Sequence, residues 1–209
     1  KLEQVKLLFS IFEKNNASLR LVGGCIRDAL IEREVKDIDT ATTLEPKEVL
    51  NLLNRNNIEY DDYAIQYGSI ISYPLNKKIQ ITTLREDINQ LGRHTNVIYT
   101  TDWKKDSARR DFTFNALYLS GSNKLYDYYN GESHLKDHRI KFIGEIEDRI
   151  KEDYLRIYRY FRFLGLFELP KISLSDQRIV EKYIHESLSI LTNDIIRQEI
   201  LKMFNMTYP

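Results

Sequence analysis

Apolar positions Val5, Leu8, Phe9 and Phe12 recur at the spacing of one helix face, which predicts a helix over residues 2–15. The short apolar run Leu19–Val22 stops at Gly23-Gly24 and reads as a strand entering a tight turn. Residues 25–32 then read as helix and residues 35–40 as a strand with alternating faces. A helix over residues 46–54 follows, with Pro46 in its first turn and Glu45 at its positive end. Two strand-like runs, 69–73 and 78–84, flank Pro74-Leu75-Asn76 and predict a hairpin. Residues 85–96, polar and containing Gly92, read as a mobile loop, and residues 107–119 start helical and finish as a strand. From about residue 132 to 205 nearly everything reads as helix, interrupted near Pro170. The change of character places a boundary near residues 120–135, between an α/β part and an all-helical part.

Composition narrows the setting. A chain of 209 residues is long enough for two modest domains. No run approaches the roughly eighteen apolar residues of a membrane span, and the first residues lack the apolar stretch of a signal peptide. One cysteine, Cys25, excludes an internal disulfide and a cysteine-rich zinc site, and a reducing cytoplasm fits best. With 31 acids and 31 bases the net charge is zero, so any nucleic-acid contact must come from local clusters. Two such clusters exist: Lys104, Lys105, Arg109 and Arg110, then Arg149, Arg156, Arg159 and Arg162.

The densest chemistry lies in Leu21-Val22-Gly23-Gly24-Cys25-Ile26-Arg27-Asp28 and the following Lys36-Asp37-Ile38-Asp39. Glycines between a strand and a helix let backbone approach a phosphate, and Arg27 is spaced to reach the same anion. A tight turn explains two glycines about as well. On a strand, Asp37 and Asp39 share a face, and two neighbouring carboxylates repel unless a cation sits between them. Their oxygens favour magnesium, and two ions about 3.5–4 Å apart suit in-line phosphoryl transfer. An exposed strand could carry the same Asp-x-Asp as solvated charge; the preceding glycine turn favours the chemical reading.

The run from Gly23 to Thr42 resembles the head signature of the class II tRNA nucleotidyltransferase (CCA-adding enzyme) and bacterial poly(A) polymerase family. Ala108-Arg109-Arg110-Asp111-Phe112-Thr113-Phe114-Asn115-Ala116-Leu117 is similar to that family's second motif. The resemblance implies nucleotide contact by Arg109 and Arg110 and a sugar contact by Asp111. Asp127-Tyr128-Tyr129-Asn130-Gly131 resembles the family's connector, a hinge. The stretch Glu152 to Phe163 resembles a fourth motif. There the residues matching Asp153 and Arg156 read the edge of the incoming base without a template, with Glu152 orienting Arg156, and Arg159 and Arg162 match nucleotide contacts. Taken as one helix, Glu152, Asp153, Arg156 and Arg159 form a stripe beside apolar Ile157, Phe161 and Leu164, and Asp153 to Arg156 is an i,i+3 ion pair. Thr82-Thr83-Leu84-Arg85 through Gly92-Arg93-His94 resembles the family's strand and flexible loop, while Arg197 and Glu199 resemble a supporting neck element. One departure is Gln80, where the family usually has glutamate.

The resemblance implies an α+β fold: a polymerase-β-like nucleotidyltransferase head with a five-stranded mixed sheet over residues 1–130, and an all-helical, nucleotide-selecting neck over 131–209. It implies template-independent addition of C and A from CTP and ATP to the 3′ end of tRNA, with Asp37 and Asp39 as catalytic magnesium ligands. Gly23, Gly24, Arg27 and the arginines and acids of the later motifs would bind nucleotide. A partner chain or a further carboxy-terminal region would grip the tRNA; no membrane is involved. The alternatives are a poly(A) polymerase, a CC-only or A-only enzyme, and, given Gln80 and the short carboxy end, a non-catalytic RNA- or nucleotide-binding module.

Overall fold

In the computed structural model the described residues are 2–91 and 94–209, with side chains described for 3–87 and 97–209. The chain forms two compact units. The first comprises Lys1–Asp87, Val97–Arg109 and Asn115–Tyr128; the second comprises Ile88–Asn96, Arg110–Phe114 and Tyr129–Pro209.

The first unit opens with α1 (Leu2–Lys14), whose Val5, Leu8, Ile11 and Phe12 are buried. Strand β1 (Leu19–Val22) runs into α2 (Gly24–Leu30), and β2 (Asp39–Thr42) into α3 (Pro46–Arg55). Glu45 and Glu48 close a capping box at the start of α3. Then come β3 (Tyr60–Asp61), β4 (Ser69–Ser72), β5 (Ile79–Thr83), β6 (Arg85–Leu91) and β7 (His94–Tyr99), whose Ile88–Asn96 portion is counted with the second unit, and α4 (Trp103–Ala108), β8 (Leu117–Ser120) and β9 (Leu125–Asp127). One mixed sheet has the order β3-β4-β5-β2-β1-β8-β9, with β2 and β5 parallel and the other neighbours antiparallel. It carries seven strands where five were expected, because the edge strands β3 and β9, two and three residues long, are too short to leave a periodic signal. α1 and α3 pack with Ile70, Ile79 and Ile81 of the sheet in one hydrophobic core.

Two local expectations before residue 100 are corrected. The strand predicted over 35–40 starts only at Asp39, and residues 33–38 have no regular structure. The predicted loop over 85–96 instead contributes β6 and β7, a separate two-stranded sheet. Gly92 and Arg93 lie outside the described residues, as does the side chain of His94.

The second unit contains α5 (Gly131–Lys136), α6 (Ile146–Glu152), α7 (Leu155–Leu164), α8 (Leu174–Lys182), α9 (Ile184–Ile190) and α10 (Asn193–Phe204). Segment 110–114 belongs to it because Phe112 forms a bridge with Phe142 and stacks among Phe114, Phe142 and Phe163, with ring centroids 4.7–5.7 Å apart. Gly131 starts α5 where a Cβ would lie 2.3 Å from the Thr113 carbonyl oxygen, so only glycine fits. The single helix expected across residues 152–163 is two helices. Asp153 between them is extended, at φ −152° and ψ 103°, so the stripe drawn on one helical wheel does not exist.

Candidate active site

In the first unit, β1 ends at Gly23, whose φ of 75° and ψ of −127° disfavour any side chain. The Gly23 carbonyl oxygen accepts from the amides of Ile26 and Arg27, starting α2 directly from the strand. The Arg27 side chain lies against Gly24 and is almost wholly buried, at 9% exposure. Its Nη1 donates to Asn115 Oδ1 at 2.7 Å, and its Nε donates to Asp28 Oδ1 at 2.9 Å. Asn115 thus helps fix the guanidinium.

Asp37 sits on the irregular segment and Asp39 opens β2, so their proximity comes from the turn into the strand rather than from strand alternation. Both line a cavity of about 430 Å³ together with Gly24, Arg27, Asp28, Arg33 and Lys36. Both also line a second cavity of about 250 Å³ with Ile38, Lys78 and Gln80. Across the parallel pair, Asp39 is in register with Gln80. Cys25 donates its thiol to the carbonyl oxygens of Val22 at 3.3 Å and Asp39 at 3.7 Å, tying α2 to the start of β2. Burial pushes the Cys25 thiol pKa up, as for a structural and unreactive cysteine.

Among the described residues no group of three or more His, Cys, Asp or Glu side chains could hold a metal ion. The donor chemistry at Asp37 and Asp39 is that of two carboxylates opening on shared cavities. That set fits a hard, oxygen-loving and largely hydrated cation such as magnesium, which keeps several waters and needs only one or two carboxylates.

Arg109 also belongs to the first unit. Its Nε donates to Asp106 Oδ1 at 2.9 Å, and Asp87 lies 3.8 Å from its Nη1. Asp106 is buried and accepts from the Tyr118 hydroxyl at 2.7 Å and the Arg85 amide at 3.2 Å. It holds α4 to the sheet, and Arg109 is part of that support. Nothing in the sequence pattern singles out Asp106.

The second unit gathers the remaining predicted residues. Asp111 accepts from Arg159 Nε at 2.6 Å and from the Phe112 amide at 2.7 Å. Burial lowers the Arg159 pKa, but the Asp111 carboxylate outweighs it and holds the net value above the usual one. The Arg110 carbonyl oxygen accepts from Arg149 Nη2 at 2.8 Å. Arg156, at 5% exposure, donates from Nη1 to Glu152 at 2.6 Å and to the Arg149 carbonyl oxygen at 2.7 Å. Asp153 accepts from the Leu155 amide at 3.0 Å, capping α7. Arg162 donates to Glu199 on α10 at 2.6 Å.

Residues 19–141 match the poly A polymerase head domain. The chain belongs to that family. It is 42% identical over 164 residues to the human protein named CCA tRNA nucleotidyltransferase 1, mitochondrial, covering 78% of this chain and 38% of the relative. It is 34% identical over 184 residues to a CCA-adding enzyme of Lactobacillus delbrueckii subsp. bulgaricus, covering 87% of this chain and 45% of the relative. The head-domain chain therefore spans less than half the length of these relatives. Its fold is that of the Bacillus stearothermophilus CCA-adding enzyme, crystallised in complex with CTP: the TM-score is 0.86 at 22% identity over 99% of this chain and 49% of that one. No helix among the described residues is long and apolar enough to cross a membrane.

Proposed function

We propose that the chain adds C and A nucleotides from CTP and ATP to the 3′ end of tRNA, without a template. The observation that carries this reading is the cavity in which Asp37 and Asp39 share walls with Gly24, Arg27, Arg33 and Lys36. Carboxylates for a cation beside cations for an anion are what a metal–triphosphate site requires. The named relatives support the same reading.

In the reaction, the RNA 3′ oxygen bonds to the α-phosphorus of the nucleotide and loses its proton. The bond to the bridging oxygen breaks, and pyrophosphate leaves with that electron pair. Asp37 and Asp39 would hold magnesium, which supplies charge neutralisation for the triphosphate and acidifies the attacking hydroxyl. The fixed guanidinium of Arg27 orients phosphate beside the close-approaching Gly23-Gly24 backbone. We assign residues 1–130 as the nucleotidyltransferase head and 131–209 as the neck. In the neck, Asp153 and Arg156 select the base and Glu152 holds Arg156, while Arg110 and Asp111 of the head and Arg159 of the neck bind nucleotide. A lone buried thiol suits a reducing compartment, and the cytoplasm is the proposed location.

The test is incubation of the purified chain with magnesium, tRNA lacking its terminal CCA, and labelled CTP or ATP, singly and together. Incorporation of both labels that disappears in Asp37→Ala and Asp39→Ala is expected; incorporation surviving both changes would sink the mechanism. Label from one nucleotide alone, or long A tracts, would reassign the enzyme as CC-only, A-only or poly(A)-adding. Gln80 beside Asp39 favours one second reading, a binding module without catalysis. Intact nucleotide binding with no incorporation at any protein concentration would establish it.

A further inference from the structure

The outer edge of the seven-stranded sheet carries a cavity of about 550 Å³. Asn54 and Asn57 line it around the end of α3, Glu59, Tyr60 and Asp61 line it on and just before β3, and Tyr73 lines it beyond β4. The strand order β3-β4-β5-β2 sets it three strand spacings, about 14 Å, from the strand of Asp39. We propose that this cavity is a second binding site, for an aliphatic ammonium. The charged head sits at the Glu59 and Asp61 carboxylates and the hydrocarbon stem lies along the Tyr73 ring. The site stands apart from nucleotide transfer and does not depend on it.

Local sequence builds the walls. Beyond α3 the chain turns through Asn57 in the left-handed region at φ 52°, and the Ile58 amide donates to the Leu53 carbonyl oxygen at 3.0 Å. Ile58 is buried in the core beneath, and the chain leaves it as the edge strand β3. The Tyr73 amide donates to the Glu59 carbonyl oxygen at 2.8 Å, one step outside the Tyr60–Ser72 pair, which brings Tyr73 to this edge. Its hydroxyl donates to Asp61 Oδ2 at 2.5 Å, and Asn54 Nδ2 donates to the Tyr60 hydroxyl at 3.2 Å. Both phenols are thus pinned by their polar ends, and the walls are set before a ligand arrives.

Charge and size select the ligand. Among the described residues no hydrogen bond or ion pair engages the Glu59 carboxylate, Asp61 accepts from the neutral Tyr73 hydroxyl, and no basic side chain lines the cavity. Two such carboxylates repel the phosphates of a nucleic acid. A bare metal ion would leave most of the space to water, and the walls offer it only two carboxylates. An ammonium brings three donors and no acceptor, its stem covers apolar surface, and the face of a tyrosine ring attracts it further. The volume falls within the ~300–1,000 Å³ usual for small-molecule sites. A free polyamine and the lysine side chain of a partner protein both carry this group.

Calorimetry on the whole chain measures spermidine and, separately, a trilysine peptide, in saturating magnesium so that Asp37 and Asp39 do not compete for the amine. Glu59→Gln is expected to weaken binding about three-fold, Tyr73→Leu by a similar factor, and Glu59→Gln with Asp61→Asn about ten-fold. Asp37→Ala should bind as the unaltered chain does, and nucleotide incorporation should be unchanged in Glu59→Gln. Binding of spermidine alone assigns the site to a free polyamine, binding of trilysine alone to a partner's lysine, and binding of both to the ammonium group itself. Binding of neither, affinity unchanged in the doubly altered chain, or affinity lost in Asp37→Ala would overturn the proposal.

Discussion

Asp39 and Gln80 stand in register across the parallel strands β2 and β5, so an amide rather than a carboxylate borders the Asp37–Asp39 pair. Replacing it with Gln80→Glu puts a third negative charge beside two others. Without a divalent cation the three repel and the folded state loses stability; with magnesium the added ligand tightens the site. The rise in thermal midpoint on adding saturating magnesium should therefore be larger in Gln80→Glu than in the unaltered chain. A ten-fold gain in affinity corresponds to about 1.4 kcal/mol. Asp39→Asn should show little or no rise. Equal magnesium-dependent shifts in all three proteins would mean that the cation binds elsewhere.

Glu32 occupies the left-handed region at φ 55°, just past the end of α2, where Arg33 N donates back to the Asp28 carbonyl oxygen at 2.7 Å. This is the helix-ending turn that glycine ordinarily serves. An L-residue there costs ~1–2 kcal/mol, and glycine gives back ~0.4–1 kcal/mol through the freer unfolded chain. Glu32→Gly should thus stabilise the first unit by roughly 0.5–1 kcal/mol, visible as a higher urea midpoint with an unchanged slope. A lower midpoint would show that the Glu32 side chain contributes a contact worth more than the strain.

Much of this architecture was legible in sequence where a hydrophobic period is bounded by glycine or proline. The helix at residues 46–55, the strand before Gly23 and the hairpin around Pro74 fall into that class, and the helix at 2–14 is legible from its apolar period alone. The start of β2 was not, because Val35 and Ile38 continue an apolar pattern through a segment that meets β5 only from the Ile38 carbonyl oxygen onward, with Asp39 the first residue in register. Strand β6 begins Arg85-Glu86-Asp87, a polar run of low strand propensity that pairing with β7 overrides. The break at Asp153 carries no glycine or proline; the side chain makes it by capping the Leu155 amide. At the candidate site, Asp37, Asp39 and Arg27 could be named from spacing. Asn115 meets Arg27 across 88 positions, and Asp106, though only three residues before Arg109, is set as its anchor by burial and by the bond from Tyr118, neither of which a local pattern records.

Arg162 and Glu199 join α7 to α10 through a bond of 2.6 Å, and Glu199 is only 3% exposed while also accepting from Lys202 at 2.7 Å. Glu199→Ala removes the carboxylate from a nearly buried guanidinium, a change that typically costs ~3–5 kcal/mol. Urea unfolding should show a loss near the lower end of that range, since Lys202 is exposed. Converting both partners to leucine should recover a large part of it. A loss below about 0.5 kcal/mol, the ordinary range of surface changes, would mean that the pair supports little and would return Arg162 to a purely nucleotide-binding role.

The Glu147 carboxyl is held at about 2, well below its ordinary 4.5, first by the hydrogen bond from the Tyr183 hydroxyl and then by Lys151, whose Nζ donates at 2.9 Å. A carboxyl whose pKa is lower in the folded state stabilises that state above the unfolded value and loses the contribution as pH falls through the folded one. The contribution should therefore be complete above about pH 5, decline below the ordinary carboxyl range and vanish near pH 2. Glu147→Gln keeps a side chain of the same length but cannot titrate. The difference in thermal midpoint between the unaltered chain and Glu147→Gln should be largest near neutrality and shrink steadily on acidification. Because Glu147 faces solvent, molar salt should reduce the difference at neutral pH. A gap that stays constant from neutrality down to about pH 2 would show that Glu147 acts through shape rather than charge.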